Sequence, residues 1–455
     1  MKRRVVVTGL GIVSALGNDI SQFWQNCLEA KTSVEAIPEY WQEVSACRSQ
    51  HWSACPQPDY TTFEISRVEQ LQNDPCTLFA LCAAKQALNS AGLNFRLAKP
   101  KERTFSIDGL NTDRSGVYFG TGIGGYSTIS KYHAYHASKK LAAEIDTILQ
   151  DDLSDKQEVQ AKLRDIRERM QIQTRFNPYV VSMIMPNAPA SILSIKFGLH
   201  GPARTSCSAC AAGTVSIGQA RNAISSGEVD LALTGGTEYL YDKWGDIFHG
   251  FDVIDALAKG EADEINRPFD RNRNGFLLSQ GGASVLILEE LEHAEKRGAK
   301  ILAEVIGYGE TSDSSNVMMM DKSGQQIISM INQTLADAEI SAAEVDYINT
   351  HGTGTALNDD VEAEVIEKIF GNKVLVNSTK SLLGHTLGAS GAIEATVAVL
   401  SLMHQTTHIS RNLEAPIRDL KFVTDVKPRE IKTALSQSFA FGGHNAALLF
   451  RCWDE

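Results

Sequence analysis

No uninterrupted apolar run among the 455 residues approaches the roughly 20 that a spanning helix needs, so no membrane insertion is expected. A basic surplus is also missing. Lys and Arg number 43 against 55 Asp and Glu, a net charge of −12, so no nucleic-acid partner is expected. The start of the chain sets Lys2, Arg3 and Arg4 before Val5-Val-Val but lacks a small-residue cleavage site. With Gly9 and Gly11 following, it reads as a first strand and turn rather than a secretory signal. Cysteines stand at 27, 47, 55, 76, 82, 207, 210 and 452 in no regular framework, which predicts reduced thiols and a cytoplasmic setting. Cys207 and Cys210 form a C-x-x-C with no second pair at comparable spacing, so neither a metal nor a cofactor is expected.

What is present is a chain with 43% apolar residues, long enough for two domains or one large duplicated one. Strand-like runs at 3–8, 115–120, 229–236, 282–289, 345–350 and 373–379 alternate with Gly-rich turns and helical stretches. That alternation predicts an α/β fold with buried sheets. The polar passage at 261–266, before Arg267-Pro268, suggests a boundary near residue 265, with halves 1–265 and 266–455. A charged segment at about 138–173 carries Val159, Leu163, Ile166 and Met170 at helical spacing, with Ser154 and Gln157 as a capping box. Gly120-Thr-Gly-Ile-Gly-Gly125 satisfies a dinucleotide pattern, but no short βαβ unit with its acidic residue follows. Close backbone approach at a pocket wall explains those glycines better.

Cys210 ends Thr205-Ser-Cys-Ser-Ala and opens a helix-like stretch from Ala211. Unpaired N–H groups at a helix start favour the thiolate. By itself a buried cysteine is more often packing. Three polar, glycine-flanked segments later in the chain change the balance: Asn349-Thr-His351-Gly-Thr353-Gly-Thr355, Lys380-Ser-Leu-Leu-Gly-His385, and Phe441-Gly442-Gly-His444. A thiolate can hold an acyl group as a thioester, and two imidazoles can stabilise the charge left when carbon dioxide departs from a second thioester. Hydrolysis of the papain type would instead want one His with an orienting Asn or Asp.

With Val5-Val-Val-Thr-Gly-Leu-Gly11, Asn266-Arg-Pro-Phe-Asp270 and Gly298-Ala-Lys300, these motifs resemble β-ketoacyl-acyl carrier protein synthases of the synthase II kind, in the thiolase-like superfamily, over nearly the whole length. The resemblance implies a five-layered αβαβα fold of two similar halves, a homodimer, and acyl carrier protein as partner. It implies that Cys210 carries the acyl chain, that His351 and His385 promote decarboxylation, and that Lys380 supports them. Backbone N–H groups of Cys210 and Phe441 would form the oxyanion hole, with the Phe441 ring as gate. Ile123, Thr353, Thr355 and Gly442 fall where the family meets substrate, and Asp359, Glu362 and Glu394 match structural acids. Basic residues that the family often uses to dock an acidic carrier are absent at Gln70–Asn73 and Asp255. Arg67, Arg271, Arg273 or the helix with Lys162, Arg164, Arg167 and Arg169 are expected to substitute. A non-catalytic chain-length partner of a ketosynthase would typically lack the cysteine, and a thiolase would want a second one in place of a histidine.

Overall fold

The computed structural model describes residues 2–100, 103–150, 156–169 and 176–454. Eleven strands form one mixed sheet, and its order exposes a duplication. From one edge run Ala203–Ser206, Ser115–Gly120, Leu231–Tyr239, Gly281–Glu290 and Val5–Val13. From the other, inside a short outer strand Lys421–Phe422, run Leu375–Asn377, Tyr347–Asn349, Thr433–Ala440, His444–Cys452 and Ala303–Ser312. In each set two parallel pairings are followed by two antiparallel ones, in the same chain order. The sets join where Val6 and Val7 pair with Glu304 and Ala303.

This pairing corrects the boundary read near residue 265. Gly281–Glu290 returns to the first set of strands, so the turn-rich passage at 261–266 is a connection inside the first half. Charge and Pro268 gave it the look of a linker, but strand partnership is a long-range property.

Helices Ala212–Ser225 and Ser390–His404 lie against each other and touch strands of both halves, forming the middle layer. Pro75–Ser90 and Ala188–Phe197 cover the first half outside, and Gln325–Asp337 packs on the second. Val5–Val13 and Leu231–Tyr239 are buried along their whole length because helices cover both faces. The stretch Leu387–His404 is long and apolar enough on average to cross a membrane, but Glu394 and several Ser and Thr interrupt it and it is 89% buried inside the fold, as a core helix is. Its apolar faces meet strands of both halves.

The charged segment is a helical hairpin. Tyr126–Gln150 is a 25-residue helix, and Gln157–Arg169 returns along it, with Arg167 bonded to Asp146 at 3.0 Å. The expectations for Ser154 and Met170 fall outside the described residues. Asp74 fixes the hairpin's base: its carboxylate caps Pro75–Ser90 through Cys76 N–H and accepts from Thr128 N–H (3.0 Å) and Oγ1 (2.6 Å).

Glu289, fully buried in the first half, accepts from Arg297, His293 and Thr8. Burial pushes its carboxyl up, but these bonds, led by Arg297, overrule it and hold it at about 2. Arg297→Ala is therefore expected to cost about 3–5 kcal/mol near pH 7, measured by urea unfolding. A depressed carboxylate stabilises above its ordinary value near 4.5 and loses that contribution as pH falls towards about 2, so the gap to wild type should close over that window.

Candidate active site

Cys210 sits in a short 3-10 turn, Ala209–Ala211, that runs directly into the central helix Ala212–Ser225. The residue before it, Ala209, takes a left-handed φ of +45°, a strained conformation for a non-glycine that turns the chain sharply at the thiol. His385 comes from the second half. Its backbone is pinned by hydrogen bonds to Leu277 O (2.7 Å) and from Ser279 N–H (3.0 Å). Across the junction its Nε2 stands 3.0 Å from Cys210 Sγ, and its Nδ1 is 2.9 Å from Ser390 Oγ.

His351 follows the strand Tyr347–Asn349 on a loop tied down by the two acids matched from the family. Glu362 accepts from the N–H groups of His351 and Gly352, both at 2.7 Å, and Asp359 accepts from those of Thr353, Gly354 and Phe269. The rings of His351 and His385 meet edge to face, with centroids 5.4 Å apart. Lys380 Nζ lies 3.2 Å from His351 Nδ1 and pairs with Glu394, all three being buried. An ammonium only donates, so Nδ1 of His351 must accept and its proton sits on Nε2.

Burial, followed by the charge of Lys380, drives both imidazoles well below their ordinary range, so they are neutral. Burial pushes the Cys210 thiol up to about 12, against the pull of Lys380 and with the push of Glu238. The thiolate expected from the helix start is thus not the resting form, because desolvation outweighs the helix-end field. A thiol hydrogen-bonded to neutral His385 is the consistent state.

These groups open on a cavity of about 540 Å³ lined also by Thr353, Thr355, Leu387, Phe439 and Phe441. Phe441 is 36% exposed and stacks with Phe251 at 6.3 Å, which suits a ring at the mouth. Met318, Met319 and Met320 line the same cavity, the first two largely exposed. Ile123 is not among the lining residues but packs in one apolar cluster with Cys210, Phe276 and Leu387. Gly442 is not among them either: its N–H is bonded to Val317 O, so it shapes the loop that carries Phe441.

Among the cations expected to replace the missing docking residues, Arg273 is spent on Asp360 and Asp359 with its side chain buried, so it drops out. Lys162 and Arg167 are paired within the hairpin, while Arg67 and Arg271 are exposed. Sequence reasoning missed Ser390 and Glu238. A charged residue directly after Thr234-Gly-Gly-Thr on a buried strand was the available sign of Glu238.

A cysteine from one half facing two imidazoles from its repeat, in a shared cavity, defines a condensing enzyme of thiolase-like architecture. The models of the beta-ketoacyl synthase N-terminal and C-terminal domains match residues 2–294 and 302–414. A 3-oxoacyl-[acyl-carrier-protein] synthase 2 of Coxiella burnetii is 34% identical over 100% of both chains. Among solved structures, a beta-ketoacyl synthase from Burkholderia phymatum superposes with a TM-score of 0.81 at 27% identity, and the ishigamide ketosynthase/chain length factor with 0.80 at 26%, each over 100% of both chains. The chain belongs to the beta-ketoacyl synthase family.

Proposed function

We propose that this protein catalyses decarboxylative Claisen condensation between an acyl group on Cys210 and a malonyl thioester on acyl carrier protein, in fatty acid or related polyketide and polyene assembly. The observation that carries this reading is the 3.0 Å approach of Cys210 Sγ to His385 Nε2 across the two halves, beside a His351 whose tautomer Lys380 fixes. In the first step the sulfur attacks the acyl-carrier thioester. His385 takes the thiol proton and returns it to the departing carrier thiol. In the second, loss of carbon dioxide from the malonyl group leaves an enolate whose oxygen the Nε2–H of His351 stabilises. The enolate carbon attacks the acyl-cysteine carbonyl. Its oxyanion is met by the N–H groups of Cys210 and Phe441, and collapse expels the Cys210 sulfur as a thiolate, which takes up one proton from solvent to restore the thiol. Buried Asp359, Glu362 and Glu394 hold the groups that do this chemistry.

Mass spectrometry of the protein incubated with a panel of acyl-carrier thioesters tests the reading. Acyl adducts on Cys210, converted to 3-oxoacyl product on adding malonyl-carrier, are expected. A panel that leaves Cys210 unloaded would overturn it and support a non-catalytic chain-length partner.

A further inference from the structure

Glu238 ends the buried strand Leu231–Tyr239, has no exposed surface, and faces donors only. Its carboxylate accepts from Gly122 N–H at 2.6 Å, Ile123 N–H at 3.3 Å and Thr121 Oγ1 at 3.1 Å, all on one loop of the first half. It also accepts from Gly388 N–H at 3.1 Å, on the second half, three residues beyond His385. The two backbones come so close that a Cβ on Gly388 would lie 2.3 Å from Gly122 N and 2.6 Å from the carboxylate. Between Gly388 and His385, Leu387 is held at a φ of +48°, lines the cavity, and packs with Ile123 and Cys210.

We infer that Glu238 is a positioning residue for the condensation: it locks the Gly122–Ile123 loop to the Leu387–Gly388 turn and so fixes the cavity wall facing Cys210 and His385. The inference rests on the condensing role proposed above. An ionised carboxylate satisfies three N–H groups and a hydroxyl with no cation in the set. A glutamine of the same shape would turn an amide NH₂ against N–H groups. Burial, which pushes Glu238 up to about 7, shows how strongly the surroundings resist the charge that those donors require.

The test compares Glu238→Gln and Glu238→Asp with wild type, each checked for folding by its Tm. Glu238→Gln should lower kcat for condensation by about 10- to 100-fold, the scale of an ångström-level misplacement, with KM for malonyl-carrier within about twofold. Alkylation of Cys210 by iodoacetamide at pH 8 should become faster in the same variant, because a negative charge that holds the thiol up is removed. Glu238→Asp keeps the charge but is shorter, so kcat should fall while alkylation stays near the wild-type rate. Wild-type kcat in Glu238→Gln, or kcat and alkylation falling together in step with Tm, would overturn the inference. If wild type itself forms no condensation product, the functional reading fails, and the alkylation comparison still decides whether Glu238 governs the surroundings of Cys210.

Discussion

Cys210→Ala is expected to lower condensation at least about 10⁴-fold while malonyl-carrier is still decarboxylated. The first loss follows from removing the atom that holds the acyl chain. The retained activity follows from the division of labour, since His351, Lys380 and Glu394 form a buried unit that does not include the sulfur. Removing Sγ deprives His385 Nε2 of its 3.0 Å partner but leaves its Ser390 contact and both backbone anchors. Product formation is followed by mass spectrometry and decarboxylation by release of labelled carbon dioxide. Loss of both activities would mean that the imidazoles cannot work without the thiol. Retained condensation would point to another nucleophile, with exposed Cys207 the first to examine. In wild type, a thiol held at about 12 requires that alkylation keep accelerating with pH beyond 9 instead of levelling near neutrality.

The sequence made the nucleophile and both histidines legible for a local reason. Cys210 stands on a sharp turn at a helix start, His351 just after a buried strand and His385 just after a short buried helix, and glycine with polar residues there has little packing use. The strands that announced themselves are apolar, β-branched and short of charge. Ala303–Ser312 was missed because Glu304, Gly307, Gly309 and Glu310 interrupt its pattern, although its pairing joins the halves. The same blindness to long-range pairing misplaced the boundary and hid Glu238, whose meaning depends on Gly388 lying 150 residues further on. Electrostatics was the other hidden quantity. A helix start predicted a thiolate at Cys210, and only the extent of burial reveals that desolvation prevails.

Lys380→Met should lower malonyl decarboxylation by about 10²- to 10³-fold, the usual effect of disabling one donor to a developing oxyanion. Without the ammonium, Nδ1 of His351 has lost the partner that forces it to accept, and the proton on Nε2 is no longer assured. His351 also escapes a charge that holds it down, so the acid limb of the rate profile should move to higher pH in this variant. Stability should fall by about 3–5 kcal/mol, because Glu394 remains buried without its cation. Burial pushes Glu394 up to about 7 even with Lys380 beside it, and losing that counterweight moves it higher still. A buried acid with a raised value favours the fold while protonated and loses that advantage as pH rises through it, so the deficit should be smaller near pH 5 than near pH 8. The double variant Lys380→Met/Glu394→Leu separates the two roles: it removes the orphaned acid and should recover most of the stability by urea unfolding, yet decarboxylate no faster than Lys380→Met. Recovery of both together would show that Lys380 serves only to balance Glu394, and the assignment of the His351 proton to Nε2 would lose its support.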